Sequence, residues 1–90
     1  VNDAIVIDAS HANCSKEYER MPSVFEDIVA QRAGGNGRVV GAMLESNLIE
    51  GNQKILDDRS QMVWGQSVTD PCIGWETTEA IVREAAEKLK

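Results

Sequence analysis

Positive charge is scarce in this sequence: 9 Lys and Arg stand against 15 Asp and Glu, for a formal net charge of −6. No basic block occurs, and one Phe, one Tyr and two Trp leave little to stack on bases. Nucleic-acid binding draws on both features, so that class of partner is set aside. No apolar run approaches the roughly 20 residues that cross a bilayer, and no basic n-region precedes an apolar h-region. The expectation is a cytoplasmic chain without membrane contact. Cysteine is equally sparse. Cys14 and Cys72 are too few and too far apart for a disulfide framework or a CxxC zinc knuckle, and read as free thiols in a reducing compartment. The 90 residues support one small core. They begin at Val1 rather than Met, with strand-like sequence almost at once, and are expected to be a piece of something longer.

What is present divides into alternating apolar segments. "AIVIDA", residues 4–9, is a short run with three β-branched residues and reads as a buried strand. Pro22 and the following "SVFEDIVAQRA" place Val24, Phe25, Ile28 and Val29 at helical spacing, with Pro in the first turn. "GGNG", residues 34–37, then supplies a glycine stop. "RVVGAML", residues 38–44, is apolar without alternation, as in a strand covered on both faces. A polar stretch from about 45 to 69 reads as a long loop, either a surface excursion or a lid. "WETTEAIVREAAEKLK", residues 75–90, sets Ala80, Ile81, Ala85 and Leu89 near one face, with Thr77 or Thr78 available as a cap and Lys88 and Lys90 at the end. The order is that of two successive βα units in an α/β fold with a parallel sheet.

Ligands bind at the carboxyl ends of parallel strands. The single histidine, His11, follows the first strand in "IDASHANCSK", amid small and polar neighbours. Glu45 follows the second strand, and Asp70 closes the long loop after "SVT", a third short β-prone piece. An isolated histidine there is most often a hydrogen-bonded loop residue, and an isolated carboxylate a solvated one. All three at one sheet edge would make a divalent-metal site, since imidazole suits transition metals and carboxylates add charge.

Other candidates carry less. "GGNG" follows a helix instead of opening one, so it is a C-terminal turn and not a phosphate cradle. Ser10-His11 lacks a GxSxG elbow and does not form a nucleophilic pair. Either cysteine can be a reactive thiol, although a buried inert one is the commoner outcome.

"IDASHANCSK", "GAMLESNLIEGNQ" and "SVTDPCIGWE" together resemble the last three motifs of the class I DAHP synthases, in order and with compatible spacing along nearly the whole chain. The resemblance implies a TIM (β/α)₈ barrel, with residues 1–90 forming its C-terminal portion, about two βα units of eight. It implies condensation of phosphoenolpyruvate with erythrose 4-phosphate, the first step of aromatic amino acid biosynthesis. It also implies a divalent metal (Mn, Fe, Co or Zn) held by His11, Glu45 and Asp70, with His11 and Asp70 catalytic. A fourth ligand, a cysteine, belongs to an early family motif this chain does not contain, so neither Cys14 nor Cys72 takes that role. The phosphate-binding cations of the family also belong to motifs outside this sequence. Glu50, Asn52 and Gln53 are expected to order the loop or support the ligands. The isolated chain is expected to be inactive and to be a homo-oligomer. The rival reading is a non-catalytic α/β fragment that self-associates through exposed strand edges.

Overall fold

The computed structural model describes residues 4–11 and 17–90. Strand β1 (Ile5–Asp8) is followed by a 3-10 turn at Tyr18–Arg20 and helix α1 (Met21–Ala33), which returns the chain to strand β2 (Val39–Met43). β1 and β2 pair in parallel, Val6 opposite Gly41, Ile7 opposite Ala42 and Asp8 opposite Met43, with an irregularity between Ile5 and Val6. This is the expected βαβ unit. α1 starts with Pro in its first turn and ends at Gly34, with Gly35 in the left-handed region at φ 104°.

Burial explains why these segments hold together. Ala9, Met21, Ile28, Val39, Ile73 and Ile81 form one buried cluster, with Ile7, Val24, Phe25 and Leu44 packed against it. Burying a Val, Leu, Ile or Met side chain contributes roughly 1.5–3 kcal/mol. Helix α2 (Trp75–Lys88) adds Ile81 and Ala85 to this side and packs on α1. The expectation of a sheet covered on both faces holds for one face only. Val39 is buried, but Ile5, Val6, Val40 and Met43 are 41 to 66% exposed, so nothing within the described residues covers the other side.

Two details differ from the sequence-based expectation. Neither Thr77 nor Thr78 caps α2; Gly74 is the N-cap, and Thr78 Oγ1 turns back to the Gly74 carbonyl at 2.8 Å and meets Ser46 Oγ at 2.6 Å. The expected loop from 45 to 69 contains strand β3 (Ile49–Asn52), a 3-10 turn at Arg59–Gln61 and strand β4 (Gln66–Ser67). β3 and β4 pair in parallel, and the antiparallel bridge between Gly51 and Cys72 fastens them to the segment entering α2.

Backbone bonds from Ile49 N–H to the Gly65 carbonyl (3.0 Å) and from Gln53 N–H to the Ser67 carbonyl (2.8 Å) join the two short strands, and polar side chains reinforce them. Gln53 Nε2 donates to the carbonyls of Val63 (2.7 Å) and Gln66 (3.1 Å), while its Oε1 accepts from Val63 N–H at 3.0 Å. Gln66 Nε2 reaches the Glu50 carbonyl at 2.8 Å, and Asn52 Nδ2 reaches that of Thr69 at 2.9 Å. Gln53 and Asn52 thus order this excursion, as expected. Gly65 permits its turn at φ 83°, with Leu48 packed so close that a Cβ there would lie 3.0 Å from Leu48 Cβ.

Candidate metal centre

Each of the three singled-out residues leaves the same edge of the fold by a different route. His11 stands just past β1 in a left-handed conformation, φ 51°. Glu45 lies two residues beyond the end of β2, and Asp70 lies between β4 and α2. Hydrogen bonds bring these routes together. Ala9 N–H donates to the Met43 carbonyl at 2.9 Å, Glu45 N–H to Ser10 Oγ at 2.9 Å, and Ile73 N–H to the Glu45 carbonyl at 3.0 Å. Asn52 holds the Thr69 carbonyl beside Asp70.

The side chains converge as a result. His11 Nε2 lies 2.5 Å from Glu45 Oε1 and 3.2 Å from Asp70 Oδ2. One ligand atom from each of the three falls within 4.8 Å of the others, the grouping expected from their strand-end positions. Glu45 is the most enclosed, its side chain 20% exposed, while His11 and Asp70 are open at 42% and 63%. The cluster is therefore held from beneath and accessible from above.

Asp8, which the sequence places inside the first strand, completes the arrangement. Its Oδ2 meets His11 Nδ1 at 2.8 Å, and its Oδ1 accepts from Ser10 N–H at 2.7 Å. The hydrogen bond that His11 Nδ1–H donates to Asp8 is the main cause that raises the His11 pKa, with Glu45 adding to it against some desolvation; the same bond lowers that of Asp8. An aspartate at the end of a strand, three residues before a histidine, is the sequence signal for this contact.

Ser10 is almost fully buried, and its hydroxyl donates weakly to Met21 Sδ at 3.4 Å and accepts from Glu45 N–H. These bonds give it a positional role in place of a nucleophilic one. Cys72 is a buried free thiol whose pKa is raised by desolvation, and its sulfur contacts the Asp70 carbonyl at 3.5 Å without joining the cluster. Cys14 lies outside the described residues.

An imidazole nitrogen with two carboxylate oxygens is a donor set for Mn²⁺, Fe²⁺, Co²⁺ or Zn²⁺, and the observed spacing fits one such ion. No helix among the described residues is long and apolar enough to cross a membrane.

Comparison with known proteins agrees with the motifs. The Tyr-sensitive phospho-2-dehydro-3-deoxyheptonate aldolase of Escherichia coli K12 is 48% identical over 86 residues, which is 96% of this chain and 24% of that protein. The Trp-sensitive aldolase of the same organism is 46% identical over 85 residues, again covering 24% of its length. The solved phospho-2-dehydro-3-deoxyheptonate aldolase of Francisella tularensis SCHU S4 superposes with a TM-score of 0.86 at 37% identity, over 96% of this chain and 24% of that one. The chain thus spans about a quarter of the length of these relatives. The model of the DAHP synthetase I family matches residues 1–83, and the chain belongs to that family.

Proposed function

We propose that this chain forms part of a phospho-2-dehydro-3-deoxyheptonate aldolase, a synthase condensing phosphoenolpyruvate with erythrose 4-phosphate in the cytoplasm. In this reading it is the C-terminal portion of a (β/α)₈ barrel, with β1–α1 and β2–α2 as its last two units. The observation that carries the reading is the meeting of His11, Glu45 and Asp70 at one edge of the sheet. Barrel enzymes place their chemistry at the carboxyl ends of the strands, and this edge is such an end.

His11, Glu45 and Asp70 would hold the divalent ion, with a cysteine from another part of the barrel as a further ligand. Held there, such an ion would supply Lewis-acid polarisation of a carbonyl oxygen. Glu45, the most enclosed of the three, fixes the floor of the site and sets its charge. Asp70, the most exposed, is placed to orient a substrate hydroxyl or hold a proton. His11 would supply the nitrogen donor through Nε2, which faces both carboxylates.

The chain alone lacks the cysteine ligand and the cationic residues that two phosphorylated substrates require. By this reading the 90-residue chain does not condense them. The test is His11→Ala in the full-length enzyme, with consumption of phosphoenolpyruvate and bound metal as readouts. Loss of most activity together with weakened metal retention supports the assignment; a fully active, metal-loaded variant refutes it.

A further inference from the structure

We propose that Asp8 is the positioning residue of this site, its carboxylate setting both the backbone turn and the ring tautomer that present His11 Nε2 to Glu45 and Asp70. The inference rests on the metal reading of that group and adds a residue that the reading does not use.

The two oxygens of Asp8 have separate tasks. Oδ1 accepts from Ser10 N–H at 2.7 Å, closing a tight turn immediately after β1. That turn leads directly into His11, the one non-glycine residue with positive φ among the described residues. An L residue enters this region only when its surroundings hold it there. Oδ2 then meets the ring from the side at 2.8 Å from Nδ1. A carboxylate has no hydrogen to give, so Nδ1 must carry the proton of this bond. By the same rule Nε2, which faces Glu45 Oε1 at 2.5 Å and Asp70 Oδ2 at 3.2 Å, carries the proton that a metal would displace, and with Nδ1–H fixed by Asp8 the lone pair so freed points toward those two carboxylates. Only that tautomer offers a metal a nitrogen donor in this direction.

Asp8→Asn in the full-length enzyme separates the two tasks. The amide oxygen can still accept from Ser10 N–H and keep the turn, but the amide nitrogen now donates toward Nδ1. The proton is displaced to Nε2, and the metal loses its lone pair. With Co²⁺ as the probe, we expect affinity to fall about 10- to 100-fold, the usual consequence of losing such a partner. The visible bands of bound Co²⁺ should change as well, while the melting temperature of the metal-free protein stays near that of the parent. Asp8→Ser keeps a short acceptor for Ser10 N–H without a carboxylate for the ring, and should lose Co²⁺ affinity to the same extent, so the comparison survives if one variant misfolds. Parent-like affinity and bands in either folded variant would overturn the role of Asp8. His11→Ala is the control: if it also binds Co²⁺ like the parent, the metal reading itself fails, and the two failures are told apart.

Discussion

The backbone N–H of Glu45 donates to Ser10 Oγ at 2.9 Å across 35 residues of sequence. This bond joins the chain leaving β1 to the chain leaving β2 beneath the candidate metal centre. On the other side of the same residue, the Glu45 carbonyl accepts from Ile73 N–H. Glu45 is thereby located by its backbone before its side chain engages His11.

Ser10→Ala should therefore act twice. It leaves the Glu45 N–H without its acceptor, at a cost of about 1–3 kcal/mol when such a group stays dry. It also frees the backbone that carries Glu45, a candidate ligand. Chemical denaturation and metal titration of the full-length variant should show loss of stability and weaker metal binding together. A stability change within about 0.5 kcal/mol, the range of ordinary surface substitutions, would show that water replaces the hydroxyl.

Gly65→Ala tests the excursion between β3 and β4. Its φ of 83° disfavours any side chain, and the new methyl would sit 3.0 Å from Leu48 Cβ. A left-handed residue with a Cβ costs roughly 1–2 kcal/mol before any contact is counted. Amide exchange at Ile49, which donates to the Gly65 carbonyl at 3.0 Å, should accelerate. Unchanged exchange there would mean that the turn tolerates an alternative conformation.

Asp58 makes the 3-10 turn at Arg59–Gln61 sensitive to acid. Its carboxylate accepts from the Ser60 hydroxyl at 2.6 Å and the Ser60 N–H at 3.0 Å, and these bonds hold its pKa below the ordinary aspartate value. A lowered folded value means that the contribution is present above the unfolded pKa, near 3.9, and is lost as pH falls through the folded one. Protection of the Ser60 amide should disappear over that acidic interval, and Asp58→Ala should abolish the pH dependence. Equal protection across the interval would assign the turn's order to other contacts.

The uncovered side of the β1–β2 pair predicts the behaviour of the chain in isolation. Val6 is 66% exposed and Val40 57%, on a sheet that has two strands among the described residues. Unpaired strand edges beside apolar surface favour pairing with another copy. Sedimentation of the 90-residue chain at micromolar concentration should show oligomers. A folded, cooperative monomer would show that the exposed face is tolerated.

Much of the βαβ unit is legible in the amino-acid sequence, for a local reason. Pro22, the apolar spacing through Val29 and the glycines after Ala33 delimit α1 without reference to distant residues. The unbroken apolar character of "AIVIDA" and "RVVGAML" marks β1 and β2, because side-chain type and period report burial along a single segment. His11, Glu45 and Asp70 are legible as candidates because those residue types stand where strand-like runs end, and the resemblance to the family's motifs implies the same three.

Tertiary structure decides the rest. "IEGN" and "QS" have too little apolar pattern to announce strands, and they pair through backbone bonds that Gln53 and Gln66 reinforce by reaching across to carbonyls that sequence does not reveal. Asp8 reads as part of a buried strand, and its contact with His11 exists only because the chain turns at Ser10 and takes a positive φ at the next residue. Likewise, an imidazole and a carboxylate stand 59 residues apart in the chain, and their approach to 3.2 Å depends on hydrogen bonds linking the ends of β1 and β2 to the segment before α2. Composition and period act along the chain, whereas a cluster of side chains is a coincidence in space, produced by parallel strand pairing and the backbone bonds at its edge.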